Sequence, residues 1–116
     1  MNVRELIKEA ETLQEELTDI RRELHRHPEV GFDLTFTKAF VKKKLEEFGY
    51  QPAELGKAGL IALAGGKTPG KTILLRADMD ALPIREEADV DYRSENDGKM
   101  HGCGHDMHTA MLLGAA

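Results

Sequence analysis

The chain has few of the residues that would settle its class on their own. One cysteine, Cys103, stands among 116 residues. No intrachain disulfide can form, which fits a reducing compartment where a thiol serves as ligand or nucleophile. Tryptophan is absent and aromatics make up 5%. Aliphatic packing must therefore fill the core, and the stacking rings of a single-strand nucleic-acid binder are missing. The net charge is −5, which offers nothing to a polyanion. Lys42, Lys43 and Lys44 form the only basic run, within an amphipathic pattern that marks them as a solvated helix face. No apolar run approaches the roughly 20 residues needed to span a bilayer. Glu5, Lys8, Glu9 and Glu11 interrupt any secretory h-region. The expectation is a cytoplasmic chain with neither nucleic acid nor membrane as partner.

What is present is globular in character: 41% hydrophobic and 32% charged residues, one domain's worth or less. Val3, Leu6, Ile7, Ala10, Leu13, Leu17, Ile20 and Leu24 step by three and four. That spacing predicts one long amphipathic helix, ended by Pro28. A second helix is expected from Thr35 to Phe48, with Gly49 as its stop. Leu60 to Ala64 and Thr72 to Leu75 flank a Lys67-Thr68-Pro69-Gly70 turn and read as a β-hairpin. The second of these runs is apolar enough to be buried on both faces. Arg85 to Lys99 reads as a polar loop, with one short extended piece at Val90 to Tyr92. A final apolar helix follows Asp106. It stops at Gly114-Ala115-Ala116 without a polar tail, which reads as a truncated chain or fragment.

Three constellations carry chemistry. His101, Cys103, His105, Asp106 and His108 place five potential ligands within eight residues. Thiolate and imidazole suit zinc and its first-row neighbours. Gly102 and Gly104 permit a tight turn, and Asp106 stands where a helix N-cap belongs. The competing reading is a buried cysteine with histidines satisfying a loop. Interleaved glycines are a poor recipe for a core and favour a metal. A Cys103–His105 nucleophile pair is disfavoured, because such partners usually meet through the fold. The second constellation is Asp78 and Asp80. Two apart at a strand end, they face one side, as a metal-orienting pair or as an ordinary solvated exit. The third is His25-Arg26-His27-Pro28-Glu29, whose histidines could serve as ligands or anion-binding groups but whose position favours a helix end complementing the dipole. Gly65-Gly66-Lys67-Thr68 lacks the earlier glycine of a P-loop, since Leu60 stands there.

Arg22 to Phe32, Leu75 to Ile84 and Lys99 to Ala116, in that order, resemble the N-terminal part of the M20 peptidase family. The similarity is to its amidohydrolase branch of N-acyl-amino-acid amidohydrolases, hippurate hydrolases and auxin-conjugate hydrolases. The resemblance implies an α/β fold: the N-terminal portion of a zinc-peptidase-like catalytic domain, a mixed sheet with flanking helices, occupying residues 1–116. It implies two divalent metals in the full-length site, zinc, manganese or cobalt, with Cys103 and His105 as ligands. Asp80 falls where relatives keep an orienting acid. The Asp78 position is usually a ligating histidine, Gly102 stands where alanine is common, and Asp33-Leu34 replaces an acidic pair. The implied activity is metal-assisted hydrolysis of N-acyl amino acids or related amides. The general base would be a glutamate beyond Ala116, so the chain alone is expected to be inactive. The full-length protein would carry a lid domain and form a homodimer. The alternative is a stand-alone, non-enzymatic α/β module that binds a metal or a partner.

Overall fold

The computed structural model describes residues 2–116. Asn2 opens α1 (Val3–Thr12) with a reciprocal cap. Its side chain accepts from the Glu5 N–H at 3.0 Å, and its own N–H donates to the Glu5 carboxylate at 2.9 Å. The single helix expected through Leu24 is divided at Leu13. Thr12 Oγ1 donates back to the Glu9 carbonyl at 2.6 Å, which competes with the helical ladder. The Leu13 N–H turns to the Ala10 carbonyl. α2 (Gln14–Arg26) follows. Val3, Leu6 and Ile7 of the α1 stripe are exposed.

α2 buries Ile20 and Leu24 against α4 (His105–Ala115), which contributes Ala110 and Leu113. The two helices meet closely at Gly114. A Cβ there would lie 2.8 Å from Leu17 Cδ1, so a larger residue would make the Leu17 side chain shift. α3 (Thr35–Glu47) adds Val41 to the same core. Its N-cap residue is Leu34, which has no side chain able to cap. Glu29 substitutes from upstream: its carboxylate accepts from the Phe36 and Thr37 N–H groups at 3.0 and 2.7 Å. Phe48 closes the helix and Gly49 follows at φ +92, the left-handed stop that its sequence position predicts.

The sheet departs from expectation. β1 (Ala53–Leu55) and β2 (Gly59–Ile61) form a two-stranded antiparallel ladder with Glu54 opposite Leu60. A short turn holding Gly56 at φ +64 joins them. Residues 53–55 reach β2 with a much smaller loop than Thr72 to Leu75 would need, so closure costs less entropy. The predicted hairpin is therefore replaced by a nearer one. Ile73, Leu74 and Leu75 form no ladder and are 81%, 81% and 62% exposed, so this run is not the doubly buried strand its composition suggests. The mixed sheet is reduced to this ladder plus single bridges of each sense, Val30 with Ala81 (parallel) and Leu82 with Met100 (antiparallel).

Those bridges fix the long polar loop. The Ala81 N–H donates to the Glu29 carbonyl at 2.7 Å, and the Glu95 N–H donates to the Arg26 carbonyl at 2.9 Å. Asn96 Nδ2 donates to the Pro28 carbonyl at 3.0 Å. The loop is thus tied to the end of α2 at both of its own ends. Val90 to Tyr92 is a turn, closed by the Arg93 N–H on the Val90 carbonyl, and not an extended piece. Among the described residues no helix is long and apolar enough to cross a membrane.

Candidate metal centre

The Gly102-to-Asp106 turn delivers its side chains to opposite sides. Gly104 is the N-cap of α4 at φ +82, a left-handed conformation that a residue with a Cβ rarely adopts. Asp106 is therefore not the cap expected from its position. It lies inside the first turn and points inward, 1% exposed. His105 precedes it and points toward the Arg76-to-Asp80 segment.

His105 Nδ1 lies 2.8 Å from the Asp80 carbonyl oxygen and 3.0 Å from Asp80 Oδ1. A carbonyl can only accept, so Nδ1 carries the proton and donates. In the neutral ring Nε2 then keeps its lone pair. That nitrogen faces Asp78 Oδ2 at 3.9 Å, and Asp78 is also paired with Arg76. Thr109 Oγ1 donates to the Asp78 carbonyl at 2.9 Å, fixing the segment to α4. Of the expected site residues, Asp78, Asp80 and His105 come together. The His108 ring centroid lies 5.7 Å from that of His105. Cys103 is exposed. Among the described residues no group of three His, Cys, Asp or Glu side chains stands ready to hold an ion.

Behind the turn is a buried ionic cluster that sequence patterning does not reveal. Asp106 Oδ2 lies 2.8 Å from His25 Nδ1 and 2.9 Å from Arg21 Nε. Asp106 Oδ1 accepts from the Met107 N–H. The other nitrogen of His25 meets Glu86 Oε2 at 2.7 Å. The second Glu86 oxygen accepts from the Ser94 N–H. Each His25 nitrogen thus faces a carboxylate oxygen of a different acid. Burial alone pushes the Glu86 carboxyl up, but hydrogen bonds from His25 and Ser94, with the charges of His25 and Arg93, hold it below the usual range.

The sequence pattern places His25 at a helix end that complements the dipole. The residue is instead 2% exposed, with edge-on contact to Tyr92. The only sequence hint is that Arg21 and His25 are four apart on the helix face adjoining Ile20 and Leu24. Glu86 had no signal in its aperiodic loop. His101 is also buried, and neither ring nitrogen has a hydrogen-bond partner. Burial pushes its pKa down from 6.5, against the pull of Asp106, and the nearby charge of His25 adds to the lowering.

The sequence pattern of peptidase family M20/M25/M40 matches residues 74–116, the stretch that carries Asp78, Asp80, Cys103 and His105. An N-acetyl-L-cysteine deacetylase of Bacillus subtilis is 50% identical over 107 residues, covering 90% of this chain and 26% of that protein. This chain belongs to the M20 peptidase family. The hippurate hydrolase of Campylobacter jejuni is 46% identical over 96% of this M20 chain and 29% of its own length. The crystal structure of a Bacillus subtilis protein, described as a dinuclear metal binding peptidase from the M20 family, superposes with a TM-score of 0.84 at 39% identity. That match covers 89% of this chain and 29% of the other. The M20 chain thus spans less than a third of the length of these relatives.

Proposed function

We propose that the chain supplies part of the metal centre of an amidohydrolase acting on N-acyl amino acids. The observation that carries this reading is the His105 ring. Asp80 holds the proton on Nδ1, which leaves Nε2 free to ligate beside the Asp78 carboxylate. The donor chemistry fits: imidazole from His105 and thiolate from Cys103 suit zinc, cobalt or manganese. Two such donors leave positions open for further ligands, water and substrate. Bound there, the metal supplies Lewis acidity toward water and the amide carbonyl. Asp80 orients the imidazole and holds its tautomer, and Asp78 adds negative charge that favours a cation. The proton-accepting base is a glutamate outside residues 1–116. A second metal, a homodimeric assembly and a cytoplasmic setting complete the reading.

Cobalt titration tests it. The wild-type chain is expected to develop thiolate-to-cobalt absorption that Cys103→Ser abolishes, and identical spectra from the two would remove Cys103 from the site. The chain by itself is expected to leave N-acetyl amino acids intact. Robust metal-dependent turnover would show that the base lies within it. A non-enzymatic binding module is the second reading, favoured by the lack of a third converging donor among the described residues. A coding sequence that continues past Ala116 into a Glu-Glu pair excludes it.

A further inference from the structure

We infer that His25 is a positioning residue for the metal centre, clamping Asp106 so that His105 is aimed at Asp80 and Asp78. This rests on the reading of His105 as a ligand.

Adjacent residues of an α-helix point about 100° apart. Fixing the direction of Asp106 therefore fixes that of His105, one residue earlier on α4. The Asp106 carboxylate is hydrogen-bonded on one oxygen by His25, with Arg21 Nε beside the same oxygen as an ion pair that makes no hydrogen bond, and is held on the other oxygen by its own helix backbone. Both contacts on Oδ2 come from α2. The same stretch of chain also sets the opposite side of the site. Glu86 holds the far nitrogen of His25. The Glu29 carbonyl, just past α2, holds the Ala81 N–H beside Asp80. α2 and its exit thus set the distance between His105 and its orienting acid.

Two alternatives fit less well. Neither nitrogen of His25 is free, and the residue is 2% exposed, so it cannot exchange a proton with a substrate. Stability alone is a weak reason for the cluster, because desolvating buried charges largely offsets their attraction. Direction is what such a pair supplies and an apolar pair does not.

Two substitutions at His25 separate direction from stability. The Asn amide nitrogen sits at the same bond count from the backbone as Nδ1, so His25→Asn keeps the bond to Asp106 and loses Glu86. His25→Gln extends toward Nε2, keeping Glu86 and losing Asp106. Each removes one buried partner, so similar losses in thermal midpoint are expected without metal. Cobalt affinity is expected to stay near wild type in His25→Asn and to fall roughly 10- to 100-fold in His25→Gln. Equal affinities in the two variants, or losses that track only the melting shift, would overturn the positioning role. If a His25 variant fails to fold, the half-exposed arginines carry the test. Arg21 and Arg22 both lie over the Tyr92 ring, at 5.2 and 4.6 Å, but only Arg21 touches Asp106. Arg21→Met is expected to weaken cobalt binding and Arg22→Met to leave it unchanged; equal effects refute the clamp. Wild-type chain that gives no cobalt spectrum at all would sink the metal reading itself, a result distinct from any difference among variants.

Discussion

Glu86 keeps its charge in a place where burial opposes it. The His25 ring and the Ser94 N–H hold it below the ordinary carboxylate value of 4.5, with help from the charge of Arg93. A carboxylate with a depressed folded pKa binds its proton more weakly in the folded state than in the unfolded one. Its stabilising contribution is full above 4.5 and is lost as pH falls through the lowered folded value. Wild-type urea midpoints are therefore expected to drop on the acid side of 4.5. Glu86→Gln should be less stable at neutral pH and should flatten that acid limb. An equally steep limb in the variant would place the titration elsewhere. The same scale separates two imidazoles of one motif. His105 has an acid to fix its tautomer, whereas His101 has no hydrogen-bond partner on either nitrogen. Their spacing in the sequence holds no trace of that difference, because Asp80 reaches one ring and not the other only in the fold.

Among the elements, α3 shows how an end can be capped from a distance. Leu34 precedes the helix and cannot accept a hydrogen bond through its side chain. Glu29 reaches two of the orphan N–H groups instead. Removing it by Glu29→Ala is expected to destabilise the chain by about 1–2 kcal/mol, the usual worth of an N-cap. The shift in denaturation midpoint measures this, and an unchanged midpoint would mean that solvent replaces the carboxylate. α3 was legible almost to the residue, because its stripe and Gly49 are both local signals. The break at Leu13 was not, since Leu13 continues the three-and-four spacing without interruption. What decides it is the Thr12 hydroxyl turning back to Glu9. The pairing of the hairpin is likewise not a local signal. Composition marks Leu60 as strand, but the choice between residues 53–55 and Thr72 to Leu75 as its partner depends on loop closure.

Across the whole molecule, the candidate donors Cys103 and His105 and the acid Asp80 stand out in the sequence by residue type and spacing. The buried cluster behind His105 is built from residues 81 and 61 positions apart, His25 with Asp106 and with Glu86. No local pattern encodes such pairs. The same long-range logic organises the fold, in which α2 packs on α4 and the intervening polar loop is stitched to the end of α2.

The exposed run between Leu63 and Leu75 has a consequence for how the chain can be taken apart. Its backbone forms no ladder, and it carries Lys67 and Lys71, with Arg76 just beyond. Unprotected backbone of this kind is where a protease engages first. Trypsin under native conditions is expected to nick the chain in this stretch before it reaches Arg21, Arg22 or Arg26 on α2. One product then carries α2 and the other α4, so the buried contact between them should keep the nicked molecule running as one species until denaturant is added. If the pieces part at once, the contact needs the covalent link. If they stay together, the protein is in effect a two-part complex whose halves meet at His25 and Asp106.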